Sequence, residues 1–186
     1  MSDTIDMLVA LHRQFQETGD YTSFSLEAKT YAPGCNIFSL LDYFFNKIPD
    51  NQKYAAVLNV YTMVAEDDNR RVVKYLKSVK PFMPDSMKAT VGALADSNGI
   101  ITVYRGGRES KDAARCISWT TSNDIAEFFA KRYLALNGGG QAVIYTGTIK
   151  PQDVIAYTDD RQEKEIVQYC GVKSIRIVKT IDRCGE

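Results

Sequence analysis

Two glutamates stand one residue apart in the segment RQEKEIV, at positions 163 and 165, just before a run of strand-forming residues. In an extended chain alternate side chains share a face, so this spacing predicts that Glu163 and Glu165 point the same way. Two neighbouring carboxylates repel each other unless a cation, a ligand or bulk water offsets their charge. The spacing is therefore typical either of a solvated strand end or of a site that binds a cationic ligand.

An arginine followed by two glycines ends an earlier strand-like run, VYRGG at 103–107. The planar guanidinium of Arg105 can donate two parallel hydrogen bonds to a phosphate, and Gly106 and Gly107 make the chain beside it flexible. This arrangement suits a diphosphate. The alternative interpretation is a surface arginine that precedes a turn.

Hydroxyl side chains cluster in the segment SWTTSNDIAEFFA, where a strand ends and an aromatic-rich helix begins at once. Ser118 and Thr120 alternate on one face of this strand, and Thr121 follows. Ser122 is placed to cap the helix, because serine oxygens accept hydrogen bonds from the first amides of a helix.

Together, and in this order, the three motifs resemble the R-S-E class of NAD-dependent ADP-ribosyltransferases. That family carries an arginine on its first core strand, a Ser-Thr-Ser-like strand followed by a helix, and a Glu/Gln-x-Glu that closes a turn. The matching residues here are Arg105, the segment TTS at 120–122, and Glu163-Lys164-Glu165, within residues 100–181. The sequence departs from the family pattern at the leading serine, which is either replaced by Thr120 or supplied by Ser118.

The resemblance implies a role for each of these residues. Glu165 would hydrogen-bond a ribose hydroxyl and stabilise the positive charge that develops when nicotinamide leaves, and Glu163 would orient or deprotonate the acceptor. Phe129 is placed to touch the nicotinamide, although core packing is the commoner reason for such an aromatic residue. The expected NAD-binding residues are Arg105, Gly106, Ser118, Thr120, Thr121 and Phe129. No metal is implied, since no His, Cys or Asp cluster has ligand spacing.

The function implied by the resemblance is that of a bacterial or phage toxin or effector that transfers ADP-ribose from NAD to a macromolecule. In this family Glu-x-Glu accompanies arginine acceptors most often, which favours a protein arginine over an RNA or DNA base. An NAD glycohydrolase and a non-catalytic binding module are the other interpretations. An inhibitory antitoxin or immunity protein is an expected partner. The basic run of Arg70, Lys74 and Lys77 indicates either a nucleic-acid contact or a solvated helix face.

The elements that must position these residues change character near residue 95. Amphipathic helical patterns precede that point, and short β-branched runs with Gly, Pro and Asp punctuation follow it, interrupted by one helix between Ser122 and Gly138. This order predicts an α+β protein. The resemblance implies a core of two packed, mainly antiparallel β-sheets at 96–186. We predict that the helical region at 1–95 packs on this core and that the two unfold as one cooperative unit.

The composition limits the partners, the redox state and the location that can be expected for the protein. The 186 residues include 23 basic and 23 acidic side chains, so the net charge is zero and gives no sign of a nucleic-acid or membrane partner. The four cysteines are widely spaced, which predicts reduced thiols. We expect a cytoplasmic protein, because the sequence has neither a basic leader nor an apolar run of about 20 residues.

Overall fold

The computed structural model describes residues 2–62, 69–137, 140–159 and 162–182, without the side chains of Ser2, Asp3, Asn69 and Arg70. The chain divides into two compact units, Met1–Met83 and Pro84–Glu186. None of the helices within these described ranges has the length and apolarity that a membrane crossing needs.

The first unit is helical, as predicted. Asn36 begins the third helix as a capping residue, because its Oδ1 accepts hydrogen bonds from the amides of Phe38 and Ser39, both at 3.1 Å. The second helix has no counterpart in the sequence analysis. The bounds are α1 Ser2–Thr18, α2 Phe24–Tyr31, α3 Ile37–Phe44, α4 Asp50–Tyr61 and α5 Asn69–Val79.

Aromatic rings form the core of the first unit. The ring of Phe15 on α1 lies 4.4 Å from that of Tyr21, 5.4 Å from that of Phe24 and 5.2 Å from that of Phe44, measured between centroids. Phe15, Phe24 and Phe44 are almost completely buried. Such aromatic pairs add stabilisation to the area they bury. The apolar stripes of α1, α2 and α3 therefore fill a core within their own unit, and joint unfolding of the two units stays a prediction.

The second unit is an antiparallel sheet with one helix before it and one inserted. Its described residues form a single six-stranded sheet in the order β4-β5-β2-β1-β3-β6, and every pairing is antiparallel. This confirms the α+β class. The bounds are α6 Asp85–Ala93, β1 Ile101–Gly107, β2 Ser118–Thr120, α7 Asn123–Asn137, β3 Gln141–Ile149, β4 Val154–Thr158, β5 Glu165–Gln168 and β6 Lys173–Asp182.

The prediction of two separate sheets is wrong for the described residues, but the one sheet has a weak boundary. Strands β1 and β3 pair over seven residues, whereas β1 and β2 share one registered pair, Tyr104 with Thr120. We call this boundary the seam. It joins a half made of β4, β5 and β2 to a half made of β1, β3 and β6. Strand patterns predict that strands exist, but they do not say which strands share a hydrogen-bonded ladder.

The unit boundary lies twelve residues before the predicted one at 95/96, because α6 belongs to the β-rich unit. Val91 of α6 is 1% exposed and packs in a cluster with Val103 and Trp119 on one face of the sheet. The inserted helix α7 covers the other face, where its Ala126 and Ala130 pack against Ile144. The sheet is thus covered on both faces from within its own unit.

Gly106 permits the close approach of α7 to β1. A Cβ atom added at this position would lie 1.7 Å from the carbonyl oxygen of Ala126 and 2.8 Å from the amide nitrogen of Ala130. Both atoms belong to the helix backbone, so a side chain at 106 could be accommodated only if the helix moved. Packing against α7 is therefore sufficient to explain why residue 106 is a glycine.

We expect Gly106→Ala to destabilise the second unit by about 1–3 kcal/mol or more, as overpacking usually does. The control is Gly92→Ala on α6, where an added Cβ meets nothing within 4 Å. That change should be neutral or stabilise by up to about 1 kcal/mol, because alanine is the better helix former. Trp119 is the protein's single tryptophan and is buried in β2, so urea unfolding followed by its fluorescence reports this unit. Equal stability of the two variants would contradict the packing argument.

Candidate active site

Thr120 and Glu165 are directly opposite each other where β2 ends and β5 begins. Thr120 also faces Tyr104 across the seam. Since opposed residues of antiparallel strands share a face, Tyr104, Thr120 and Glu165 form one line of side chains across three strands. We call this line the carboxylate row. Ser118 is opposite Val167 instead, so Thr120 is the hydroxyl residue that the fold places beside the glutamate.

The hydroxyl of Thr120 ties the Glu-x-Glu segment to β2. It donates to the Glu163 carbonyl at 2.8 Å and accepts from the Ser122 amide at 3.1 Å. The backbone adds a second link, from the Thr121 amide to the Lys164 carbonyl at 3.1 Å. The two motifs, 43 residues apart in the chain, are therefore joined by hydrogen bonds.

The chain between the two glutamates is not extended, contrary to the sequence-based prediction. Gln162 and Lys164 have positive φ angles of 58° and 46°, in the left-handed region. Asp159 supports this turn, because its Oδ1 accepts from the Lys164 amide at 3.0 Å and its carbonyl accepts from the Gln162 amide at 2.8 Å. Strand alternation therefore does not apply to Glu163, which lies in the turn, while Glu165 begins β5.

The two carboxylates differ in burial. Glu165 and Thr120 are each 5% exposed, whereas Glu163 and Thr121 are half-buried. Charge interactions are stronger at a buried position, where the effective dielectric constant is lower. Glu165 is thus the inner carboxylate and Glu163 the outer one. On β4, which pairs with β5, burial raises the pKa of Tyr157, and the charge of Asp159 raises it further.

Arg105 follows Tyr104 on β1, so its side chain leaves the opposite face of the sheet from the carboxylate row, and its guanidinium turns into the seam. The Ile117 carbonyl accepts from the Gln168 amide on β5, so the neighbouring Ser118 carbonyl points the opposite way, toward β1. It accepts a hydrogen bond from Arg105 Nη1 at 2.7 Å. The guanidinium therefore bridges β1 and β2 just beyond their one registered pair.

Phe129 lies on the flank of α7 that faces the row. Glu127 on the opposite flank binds Lys179 of β6 at 2.7 Å and Lys131 at 2.8 Å. Hydrogen bonds from Lys131 and Lys179 lower the pKa of Glu127 to about 2. Because α7 lies over β1 with its Glu127 flank toward β6, the other flank is turned toward β2 and β5. Phe129 is half-buried there and makes an edge-to-face contact with the exposed ring of Phe128.

Gln168 is a buried polar side chain whose hydrogen bonds are all made within the protein and whose role is structural. It is 0% exposed on β5, and its Oε1 accepts from the Gly171 amide at 2.8 Å and the Val172 amide at 3.3 Å. Its Nε2 donates to the carbonyls of Cys116 and Ala114. These bonds hold the connections around β5 in place, so Gln168 needs no ligand to explain its burial.

The predicted basic run of Arg70, Lys74 and Lys77 lies on α5 and is partly neutralised within the first unit. The side chain of Arg70 lies outside the described residues. Asp42 of α3 binds Lys74 at 3.4 Å and the adjacent Arg71 at 3.1 Å, and it also accepts from the Tyr75 hydroxyl. A phosphate ligand would have to compete with this carboxylate, which weakens the case for a nucleic-acid contact on this helix.

The row and the outer carboxylate of Glu163 together could act on a ligand that carries hydroxyl groups and positive charge. A buried carboxylate can hydrogen-bond a ribose hydroxyl and oppose positive charge, and an outer carboxylate can act on an approaching nucleophile. Arg105 would supply a guanidinium that can bind a phosphate from within the seam. Gly106 does not contribute a cradle for the ligand, because α7 occupies the space above it.

Comparisons of this chain with models of protein families, with curated proteins and with solved structures find no match.

We expect Thr120→Val to destabilise the second unit by about 1–3 kcal/mol, because it leaves a carbonyl and an amide without the hydroxyl that binds them. Thr120→Ser keeps the hydroxyl and should lose less. The control is Thr121→Val, the same change at the half-buried neighbour, with an effect within about 0.5 kcal/mol. Urea unfolding followed by Trp119 fluorescence measures all three. A loss from Thr121→Val as large as that from Thr120→Val would show that the hydroxyl of Thr120 has no special role.

Proposed function

We propose that this protein is an NAD-dependent ADP-ribosyltransferase with an active site at the carboxylate row and the seam. The observation that carries the proposal is the pairing of Thr120 with Glu165, which joins the hydroxyl motif to the Glu-x-Glu motif. Strands β1, β2 and β5, which bear the three motifs, are also neighbours in the sheet. The convergence of the three motifs on neighbouring strands supports the proposal.

Each residue has a chemical task in this proposal. NAD supplies a glycosidic bond whose cleavage releases nicotinamide and leaves ADP-ribose for an acceptor. Glu165 holds a ribose hydroxyl and opposes the positive charge at the ribose, and its burial strengthens that interaction. Thr120 fixes the turn that carries Glu163 against β2. Glu163 meets the acceptor, since it is the more exposed carboxylate. Arg105 binds the phosphate or ribose of NAD from the seam.

A protein arginine is the proposed acceptor. The Glu-x-Glu pattern favours it by resemblance, and a carboxylate at the outer position suits a cationic guanidinium. The basic run on α5 is partly neutralised, which gives a nucleic-acid acceptor less support. Incubation with labelled NAD and a whole-cell lysate, followed by separation of label in protein from label in nucleic acid, distinguishes the two. Release of nicotinamide without label in either fraction would indicate an NAD glycohydrolase.

Glu165→Gln should lower NAD cleavage by about 10²- to 10³-fold, because it keeps the shape of the side chain but removes a preorganised charge. The control is Glu17→Gln, the same change at an exposed residue of α1, which should cleave NAD at the wild-type rate. Nicotinamide release from purified protein measures both variants. Undiminished turnover by Glu165→Gln would refute the proposed active site.

Glu163→Gln should abolish transfer to the acceptor while a slow hydrolysis of NAD persists, because the outer carboxylate acts on the acceptor and not on the ribose. Lys164→Gln, at the exposed residue between the glutamates, is the control and should keep both activities. The two activities are separated by comparing label transferred to protein with nicotinamide released. Equal loss of both in Glu163→Gln would show that the carboxylates do not divide the work in this way.

A further inference from the structure

Tyr104 forms the end of the carboxylate row on β1. It is opposite Thr120 on one side and opposite Thr146 of β3 on the other. The hydroxyl of Thr146 is bound to the Val103 carbonyl at 3.2 Å, so it is engaged by the backbone. The row therefore ends, on the β3 side, at the hydroxyl of Tyr104.

The hydroxyl of Tyr104 differs from those of two buried tyrosines, Tyr75 and Tyr145. Tyr75 bonds to Asp42, and Tyr145 both donates to and accepts from the backbone of Ser110. Tyr104 is half-buried against the α7 cluster, and within the described part of the chain its hydroxyl has no hydrogen-bond partner. The described residues leave this hydroxyl free to bind a ligand, while the ring beneath it is packed against apolar side chains, as is common for tyrosines at binding surfaces.

The spacing of the row sets what such a ligand must be. Neighbouring strands lie about 4.7–4.9 Å apart, which puts the backbones of Tyr104 and Glu165 roughly 10 Å apart with Thr120 between them. A ligand group that contacts Glu165 and extends over Thr120 therefore reaches the side chain of Tyr104. The nicotinamide-ribose half of NAD has the ribose hydroxyls for one end and the carboxamide for the other.

We propose that Tyr104 is an NAD-binding residue whose hydroxyl forms a hydrogen bond with the nicotinamide-ribose half of NAD. The inference rests on the proposed function and adds a contact to it. The bond is present in the bound ground state and persists during cleavage, so Tyr104 contributes to affinity rather than to the rate of the chemical step.

The test is Tyr104→Phe, which keeps the ring that packs against α7 and removes the hydroxyl. We expect the KM for NAD to rise about three- to tenfold, as the loss of one hydrogen bond predicts, while kcat changes by less than about twofold. The control is Tyr133→Phe, because Tyr133 is a half-buried tyrosine in the same cluster but outside the row. It should leave both kinetic constants unchanged. Circular dichroism confirms that both variants are folded.

Calorimetric titration of NAD into the Glu165→Gln protein, with and without Tyr104→Phe, separates this inference from the proposed function. If the wild type cleaves NAD and Tyr104→Phe has the wild-type KM, the role of Tyr104 is refuted and the proposed function stands. If the wild type does not cleave NAD but Tyr104→Phe weakens NAD binding three- to tenfold, the contact stands and the proposed reaction fails. If Glu165→Gln protein binds no NAD and the wild type cleaves none, both are overturned.

Discussion

The β-rich unit depends on the single residue pair that joins β1 to β2, because this pair holds the two halves of the sheet together. Tyr104 and Thr120 are the one registered pair at the seam, whereas β1 and β3 form a ladder of seven pairs. Where the ladder stops, the Ser118 carbonyl would lack its strand partner, and the guanidinium of Arg105 binds it instead. Ser118 and Arg105 are both half-buried, so this hydrogen bond stabilises the place where the two halves of the sheet separate.

The same seam brings the motif residues together. Thr120 faces Tyr104 on one side and Glu165 on the other, so a hydroxyl, an aromatic ring and a carboxylate lie side by side. Glu165 is buried and Glu163 is more exposed, although one residue separates them. The left-handed conformation of Lys164 produces this difference, because it interrupts the extended chain between them. The proposed division of labour between the carboxylates depends on that turn.

Gly106, the first glycine after Arg105, has a packing role and not the ligand-binding role that its sequence context suggests. The Arg-Gly-Gly sequence suggests a flexible approach for a phosphate, yet Gly106 lies against the backbone of α7 and has no room for a ligand. Helix α7 must come this close because alanines, at positions 126 and 130, form its buried surface. The close approach also turns the Phe129 flank of α7 toward the carboxylate row. Gly106 thus contributes to the site indirectly, because it allows α7 to approach the sheet, and it need not contact a ligand.

The sequence by itself determined the class of fold, most elements and the residues worth testing. Periodicity and turn residues predicted β3 and the helix between Ser122 and Gly138 within a residue, since their signals are local. Helix α2 was not predicted, because an eight-residue segment has little periodicity and depends on the contact of Phe24 with Phe15. Only the tertiary structure decided that Thr120 rather than Ser118 faces Glu165, that α6 belongs to the sheet and that Tyr104 completes the row. Strand register and sheet membership arise from contacts between residues far apart in the chain, and a one-residue shift in register reverses which side chains share a face.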